Sequence, residues 1–387
     1  MRLLQIIADG RPGGGTTQVL ALLEGLKSLD QDLLFVCQRD SYALEQAAGM
    51  GIATSGIDFF RSRLDPRVAI KLQRLIRSFR PHVVHVHGSR AGFLSSIKWS
   101  NRHRPPVVYT VHGYHFPTKP WVIRSLAALA ERRTSRWADI TVFVSQHDRR
   151  LATELRLLPG PANGTVVYNG IKPEDIPRKA PANGSTVGFI GRLTYQKDPL
   201  LFVKIIRILA AEGYTAKIVG GGDMERDVGR SIEKCGLTGH IKLCGSLPRG
   251  EALTEISDSA VVVFPSRWEG LPIAPLELMY MGIPVVASDV CGTPEIIEHH
   301  VSGVLIQDRD PFEYAAAIRR IVDDSDYRGR LVTNAKRTVT DKFLQQRVTE
   351  QYMTLYDTLL SKRRRDGDLP VPRLRPANEE DHVPSGE

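Results

Sequence analysis

Short apolar runs without alternation recur along the chain. Each is followed by a loop bearing glycine or proline and then by a stretch with helical spacing. The runs at 3–8, 33–37, 107–111 and 140–144, and later at 186–190, 216–219, 241–244, 261–264 and 285–286, have the length and β-branched content of parallel strands covered on both faces. Between them, 16–29 sets Val19, Leu20, Leu22, Leu23 and Leu26 at helical spacing, and 68–79 is an amphipathic basic helix stopped by Pro81. Ser145, with Asp148 three residues on, suits a helix N-cap, and helices are predicted over 311–322 and 343–360. Strand and helix in alternation predict the α/β class, and 387 residues exceed what one core usually holds, so two doubly wound domains are expected.

The pattern lapses over 172–185, where Pro173, Pro177 and Pro181 mark a linker after a last strand at 166–171. The expected division is 1–171, linker 172–185, 186–342, a final helix over 343–361, and a charged, proline-containing tail over 362–387 that is expected to be disordered. A hydrophobic fraction of 42% and a charged fraction of 25% fit a soluble globular chain, and no apolar run is long enough to span a bilayer. The first residues are too short a run for a secretory signal and read as a strand, and Cys37, Cys235, Cys244 and Cys291 are scattered without a framework. A cytoplasmic location is expected.

Charge changes this picture. The net charge is +9, yet 61–150 holds 18 Lys or Arg against four acids, so the remainder is net negative by about five. Such asymmetry fits a polyanion at the first domain, either nucleic acid or an anionic membrane. The stretch 116–137 has aromatics at both ends, an aliphatic middle and five cations (Lys119, Arg124, Arg132, Arg133, Arg136). It reads either as a helix lying in the headgroup layer or as a domain helix with a solvated face. No groove-binding motif or interleaved stacking aromatics support a nucleic-acid partner.

Candidate chemistry sits where predicted strands end. Gly13, Gly14 and Gly15 follow the first strand and serve either phosphate contact or a tight turn, since no G-x-G-x-x-G is present. His112 ends the strand at 107–111, either facing a ligand or as a structural histidine. His85 and His87 fall on one side of a strand, and with His112 and His115 they raise a zinc alternative, although no carboxylate or thiolate accompanies them. Arg192 and Lys197 lie in the loop before a helix, where cations and helix-end amides would together suit a diphosphate; an ordinary basic loop is the alternative. Glu269 lies on a loop after the strand at 261–264, with Glu277 in the helix that follows. Pro272 and Pro275 fall at that helix's mouth, and Gly270 permits close backbone approach. The D-x-D pairs at Asp30/Asp32, Asp308/Asp310, Asp324/Asp326 and Asp366/Asp368 fall mostly in helix ends or the tail and read as surface charge rather than metal ligands.

The run E-G-L-P-x4-E from Glu269 to Glu277, followed by M-x-x-G-x-P-V-V-A-S and G-T-P-E, resembles the E-x7-E signature of the retaining glycosyltransferases of family 4. So do H-x-H-x-x-x-A-G at 85–92, T-V-H-G-Y at 110–114, V-x-N-G-I at 167–171 and G-R-x-x-x-x-K-D at 191–198, the first of these resembling members that build cell-surface polysaccharides. The resemblance implies the GT-B fold, two Rossmann-like domains facing a cleft, with the last helix returning toward the first domain. It implies that Glu269 contacts the donor hexose, Glu277 the nucleotide ribose, Arg192 and Lys197 the diphosphate, and His112 the reacting sugar. The loops of Gly13, Gly14 and Gly15, of Leu247, and of Gly270 and Leu271 complete the donor site. The implied enzyme is a metal-independent retaining hexosyltransferase with a UDP- or GDP-linked sugar as substrate and no cofactor. Its implied acceptor is a glycan, in surface-polysaccharide assembly a lipid-linked one, at the inner face of the plasma membrane. A glycoside phosphorylase or a nucleotide-sugar epimerase on the same scaffold is the alternative.

Overall fold

The computed structural model describes residues 1–60, 66–97, 104–114, 120–180 and 184–365. His115, 116–119 of the predicted basic helix and 366–387 of the predicted tail lie outside the described residues.

The first lobe carries strands β1 (Arg2–Ile7), β2 (Asp32–Gln38), β3 (Ala53–Ile57), β4 (Val83–His87), β5 (Val107–Val111), β6 (Ile140–Phe143) and β7 (Gly164–Val166). Its helices are α1 (Gly14–Ser28), α2 (Tyr42–Gly49), α3 (Pro66–Phe79), α4 (Ser89–Ser95), α5 (Trp121–Trp137) and α6 (Gln146–Glu154). The second lobe carries β8 (Thr186–Ile190), β9 (Thr215–Val219), β10 (Ile241–Gly245), β11 (Val261–Phe264), β12 (Val285–Ser288) and β13 (Val304–Ile306). Its helices are α7 (Pro199–Leu209), α8 (Glu225–Lys234), α9 (Arg249–Ile256), α10 (Ile273–Met281), α11 (Pro311–Asp323) and α12 (Ser325–Lys342); α13 (Gln345–Arg365) ends the described chain.

The sheets have seven and six strands, ordered β3-β2-β1-β4-β5-β6-β7 and β10-β9-β8-β11-β12-β13. Every pairing within them is parallel. Strands such as β4 and β11 are buried along their whole length, because helices cover both faces of each sheet; the run V-V-V-F of β11 satisfies that environment with apolar side chains alone, while β4 also buries His85 and His87. In each sheet the chain reverses its winding direction between two adjacent strands, β1 and β4 in one and β8 and β11 in the other. In such sheets the crevice beyond the carboxyl ends at that point is where ligands bind.

The last strand of the first lobe lies earlier than the expected 166–171 and shares only Val166 with it. Only Gly164–Val166 pairs with β6, while Ile171 pairs with Leu344 instead. Ile171 N–H donates to the Phe343 carbonyl at 2.8 Å, and Gln345 N–H donates to the Ile171 carbonyl at 2.8 Å. The two places where the chain passes between lobes are thus bonded to each other. Gly170 is required there, since a Cβ would lie 2.8 Å from the Cα of Gln345.

From this crossing α13 leaves the second lobe and packs on α1, burying Val348, Tyr352, Tyr356 and Leu360 in the first lobe's core. Each such side chain contributes about 2 kcal/mol by leaving water. The helix runs on through Lys362 to Arg365, four residues beyond the predicted end, and Arg363 donates to Asp139 at 2.7 Å. Four cations in its last turn also suit the negative end of a helix dipole.

Candidate active site

Glu269 lies on the loop between β11 and α10, at the carboxyl end of the fully buried β11. The Nζ of Lys197 donates to its Oε1 at 2.5 Å, and the Oγ of Ser266 donates to the same oxygen at 2.6 Å. Both acid and lysine are largely covered, at 8% and 19% side-chain exposure, so the attraction is little screened by water. Glu277 follows on the second turn of α10. Its Oε1 accepts from Arg249 Nε at 2.5 Å, and Arg249 reaches Asp175 of the linker at 3.3 Å. Burial raises the Glu277 carboxyl's pKa, against the lowering pull of Arg249.

Arg192 and Lys197 both lie on the β8–α7 loop, Arg192 exposed and Lys197 turned toward Glu269. One part of the expected chemistry is altered. The mouth of α7 is occupied by Asp198, whose side chain accepts from Leu201 N–H at 3.3 Å and is gripped by Arg267 and Arg309. One amide at that helix's mouth, Leu201 N–H, is therefore already served by a carboxylate.

The first lobe meets these groups directly. Gly13 caps α1 without a side chain, a Cβ on Gly14 would touch the Ile273 side chain at 3.5 Å, and one on Gly15 would touch the His112 ring at 3.6 Å. The glycine loop thus lies between the cleft histidine and the N-terminus of α10. Gly270 packs on the backbone of His112 and Gly113, where a Cβ would be 2.9 Å from the His112 carbonyl, so any side chain would separate the lobes. Leu271 is buried, and its carbonyl accepts from Asn169 Nδ2 at 2.7 Å. Beside this contact Glu295 of the second lobe accepts from the amides of Gln146 and His147 at 2.8 and 2.7 Å, capping α6 across the cleft. Leu247, partly buried, packs against the second lobe's core two residues before Arg249. On the facing side, Asp9 has its pKa lowered chiefly by its bond to Arg11, with Arg192 adding to the effect through space.

His112 is partly buried, and burial lowers its pKa to about 4. Its Nε2 lies 3.3 Å from His87 Nδ1. His87 continues to Gln5 at 2.9 Å, and His85 bonds the Tyr356 hydroxyl at 2.6 Å and Thr110 at 2.7 Å. His85 and His87 do share one side of β4, with ring centroids 3.9 Å apart. The zinc alternative finds no support in their surroundings, because both ring nitrogens of each are engaged by neighbours. Among the described residues no cluster of three metal-ligating side chains forms.

Ser266, Arg249, Gln5 and Tyr356 escaped sequence reasoning as site residues. Arg249 had a visible signal, as the first helical residue after the Leu247 loop. Gln5 and Tyr356 had none, since one lies inside an apolar strand and the other on a helix 351 residues away in sequence.

Two facing parallel sheets of this kind, with acids, cations and a histidine converging between them, define a GT-B scaffold. Comparison with known proteins agrees: a family model described as Glycosyltransferase Family 4 matches 12–175, and one described as Glycosyl transferases group 1 matches 172–338. The chain belongs to the GT-B glycosyltransferases built from these two units. It is 26% identical over 281 residues to the UDP-Gal:alpha-D-GlcNAc-diphosphoundecaprenol alpha-1,3-galactosyltransferase of Escherichia coli, covering 67% of this chain and 71% of that one. It is 22% identical over 314 residues to the capsular polysaccharide biosynthesis glycosyltransferase CapM of Staphylococcus aureus, covering 77% and 82%. In fold it is similar to Anabaena HepE, solved in complex with UDP, with a TM-score of 0.80 at 20% identity over 92% of this chain and all of that one.

Proposed function

We propose that this glycosyltransferase moves a hexose, with retention, from a nucleotide sugar to a hydroxyl of a lipid-linked glycan in surface-polysaccharide assembly. The observation that carries this reading is the convergence of the Glu269–Lys197 pair with His112 where Gly270 seats on the first lobe. Glu277, held by Arg249, takes the ribose; Lys197 and Arg192 take the diphosphate; Glu269 and His112 orient the hexose. The donor loops are those of Gly13, Gly14 and Gly15, of Leu247, and of Gly270 and Leu271. Charge that develops on the leaving diphosphate is met by two cations on one loop, so the reaction needs no metal ion. The acceptor hydroxyl attacks from the leaving-group side and gives its proton to the departing phosphate. The E. coli relative, by its name, acts on a diphosphoundecaprenol-linked sugar, and HepE has been solved with UDP, which favours a UDP-linked donor over a GDP-linked one and a lipid-linked acceptor.

The acceptor reading implies a peripheral place at the inner face of an anionic membrane. Helix α5 supports it in a way the charge count did not anticipate. Arg132 is drawn to the carbonyls of Leu155 and Arg156, and the exposed Arg133 reaches the Ser96 carbonyl, whereas Trp121, Leu126 and Leu129 are 73, 64 and 61% exposed. The outer face is therefore apolar, flanked by basic residues, which suits a headgroup boundary. Among the described residues no helix is long and apolar enough to cross a membrane.

Thermal shift of the full chain against UDP, GDP and their sugars, with and without EDTA, tests the donor. Stabilisation by one nucleotide series, unchanged by EDTA, supports the reading, and no shift with any of them overturns it. Donor turned over without acceptor, giving an epimerised sugar, would favour the epimerase. Sedimentation with phosphatidylglycerol vesicles tests the membrane. Leu126→Gln with Leu129→Gln should release the chain from them while altering stability by only about 0.5 kcal/mol, and a wild-type chain that stays in the supernatant would refute membrane docking.

A further inference from the structure

His112 ends a buried run of hydrogen bonds that begins on the last helix of the described chain. The Gln5 amide oxygen can only accept, so His87, bonded to it through Nε2, carries its proton on that nitrogen and leaves Nδ1 bare. His112 Nε2, facing that bare Nδ1, must then be the donor, which strips the proton from His112 Nδ1. The same direction holds at the other end. Gln5 Nε2 donates to the Tyr356 hydroxyl at 3.2 Å, that hydroxyl donates to His85 Nδ1, and His85 Nε2–H donates to Thr110, which lies 3.1 Å from the Tyr352 hydroxyl. Every member is matched except His112 Nδ1, which is covered and has no partner. Turning the Gln5 amide over would reverse the run and leave a buried, unpaired N–H at that place. Among backbone groups an orphaned N–H is the rarer outcome than an under-used acceptor.

We infer that Gln5, His87 and Tyr356 are positioning residues that hold His112 as the Nε2–H tautomer, with Nδ1 as a fixed acceptor for a hydroxyl of the bound sugar. The inference rests on the glycosyl-transfer reading for the identity of that hydroxyl, though not for the tautomer. It also gives the crossing of α13 a purpose beyond packing, since the orientation of a cleft side chain depends on a hydroxyl carried by the second lobe's departing helix. His112 then orients the sugar and is not the base of the reaction.

Long-range 15N–1H correlation spectra of the full chain, labelled on histidine nitrogens and assigned for His112 by the His112→Gln variant, read the tautomer without any substrate. A neutral Nε2–H ring at pH 7.5 is expected, while an Nδ1–H ring or an imidazolium overturns the inference. In Gln5→Leu, folded by its melting curve, His112 should become a mixture of tautomers, and kcat should fall about ten-fold with the donor KM within about two-fold. An unchanged tautomer in that variant also overturns it. If Gln5→Leu does not fold, Tyr356→Phe replaces it and should shift the His112 spectrum in the same direction. Absence of glycosyl transfer with a wild-type Nε2–H ring would instead fault the proposed activity.

Discussion

Glu269 and His112 approach one cleft from opposite lobes and are held by opposite means. Glu269 is a charged group beside a cation, with a 2.5 Å bond to Lys197 and a second donor in Ser266. His112 belongs to a run of uncharged groups, His87, Gln5, Tyr356, His85 and Thr110, in which no carboxylate or cation takes part. The second lobe repeats its device at Glu277 and Arg249. An ion pair can exchange partners when an anion arrives, and on the proposed reading the donor's diphosphate competes with the carboxylate for the same lysine. A directional run of neutral bonds cannot exchange in that way without reversing throughout. The cleft therefore has a side that responds to the donor's charge and a side that is set before the donor arrives.

The harshest test of this contrast removes the cation. On the proposed reading Lys197→Ala takes away a donor for the growing negative charge, and kcat/KM should fall about 10³-fold, on the order of 4 kcal/mol. It also strands the covered Glu269, so thermal stability should drop as well. Lys197→Met with Glu269→Gln should recover the stability and not the activity, because the buried charge has gone with its partner. If Lys197→Ala retains turnover, the responsive side of the cleft has been misplaced.

Acid acts on the other side. Burial lowers the pKa of His85, His87 and His112, the last to about 4 from 6.5. The unfolded chain thus takes up a proton first as pH falls, and stability from the neutral rings is full above pH 6.5 and lost on the way down. For His112 alone the loss between pH 6.5 and 4 is about 3 kcal/mol. Glu131 and Asp148, whose carboxyls burial raises, act with the opposite sign, so the comparison must be differential. Urea unfolding of wild type and His112→Gln across this range should show the variant losing about 3 kcal/mol less. Parallel curves would mean that the ring is protonated in the folded state after all.

The same contrast explains what could be read before any coordinates. Strand ends were legible because parallel strands announce themselves as unbroken apolar runs, and the loops after them carry Gly13–Gly15, Arg192 and Glu269 at positions a doubly wound sheet makes functional. Pairs within one lobe whose members each belong to a recognisable motif, such as Lys197 with Glu269, lie close to the level that motifs can reveal. β3 was missed because its five residues, A-T-S-G-I, are small, polar and only partly buried, and α12 because its polar face outweighs its four buried residues. Asp198 directly before Pro199 is a sequence signal for a helix N-cap that the reading of this loop as two cations passed over; its left-handed backbone, φ 47°, is seen only in the fold. The histidine side was least legible of all. His87 raised a zinc alternative in the sequence, whereas the fold sets it as a link between Gln5 and His112, with the Tyr356 hydroxyl of α13 bonding Gln5 behind it.

The smallest effect sharpens the comparison most finely. Ser266 is 2% exposed and donates to the oxygen that Lys197 also holds. In the free enzyme Ser266→Ala removes one of two donors to a carboxylate, and the cost to stability should be about 1.5 kcal/mol. If the donor's diphosphate draws Lys197 away, as the proposed reading has it, Ser266 is left as the donor to that oxygen among the described residues, so the loss should weigh more on turnover than on folding. A double-mutant cycle between Ser266→Ala and Lys197→Met separates the two states, because the stability terms should couple through the shared oxygen while the effects on kcat/KM should be closer to additive. Equal coupling in both measurements would mean that Lys197 stays on Glu269 throughout the reaction, and the second lobe would then be as fixed as the first.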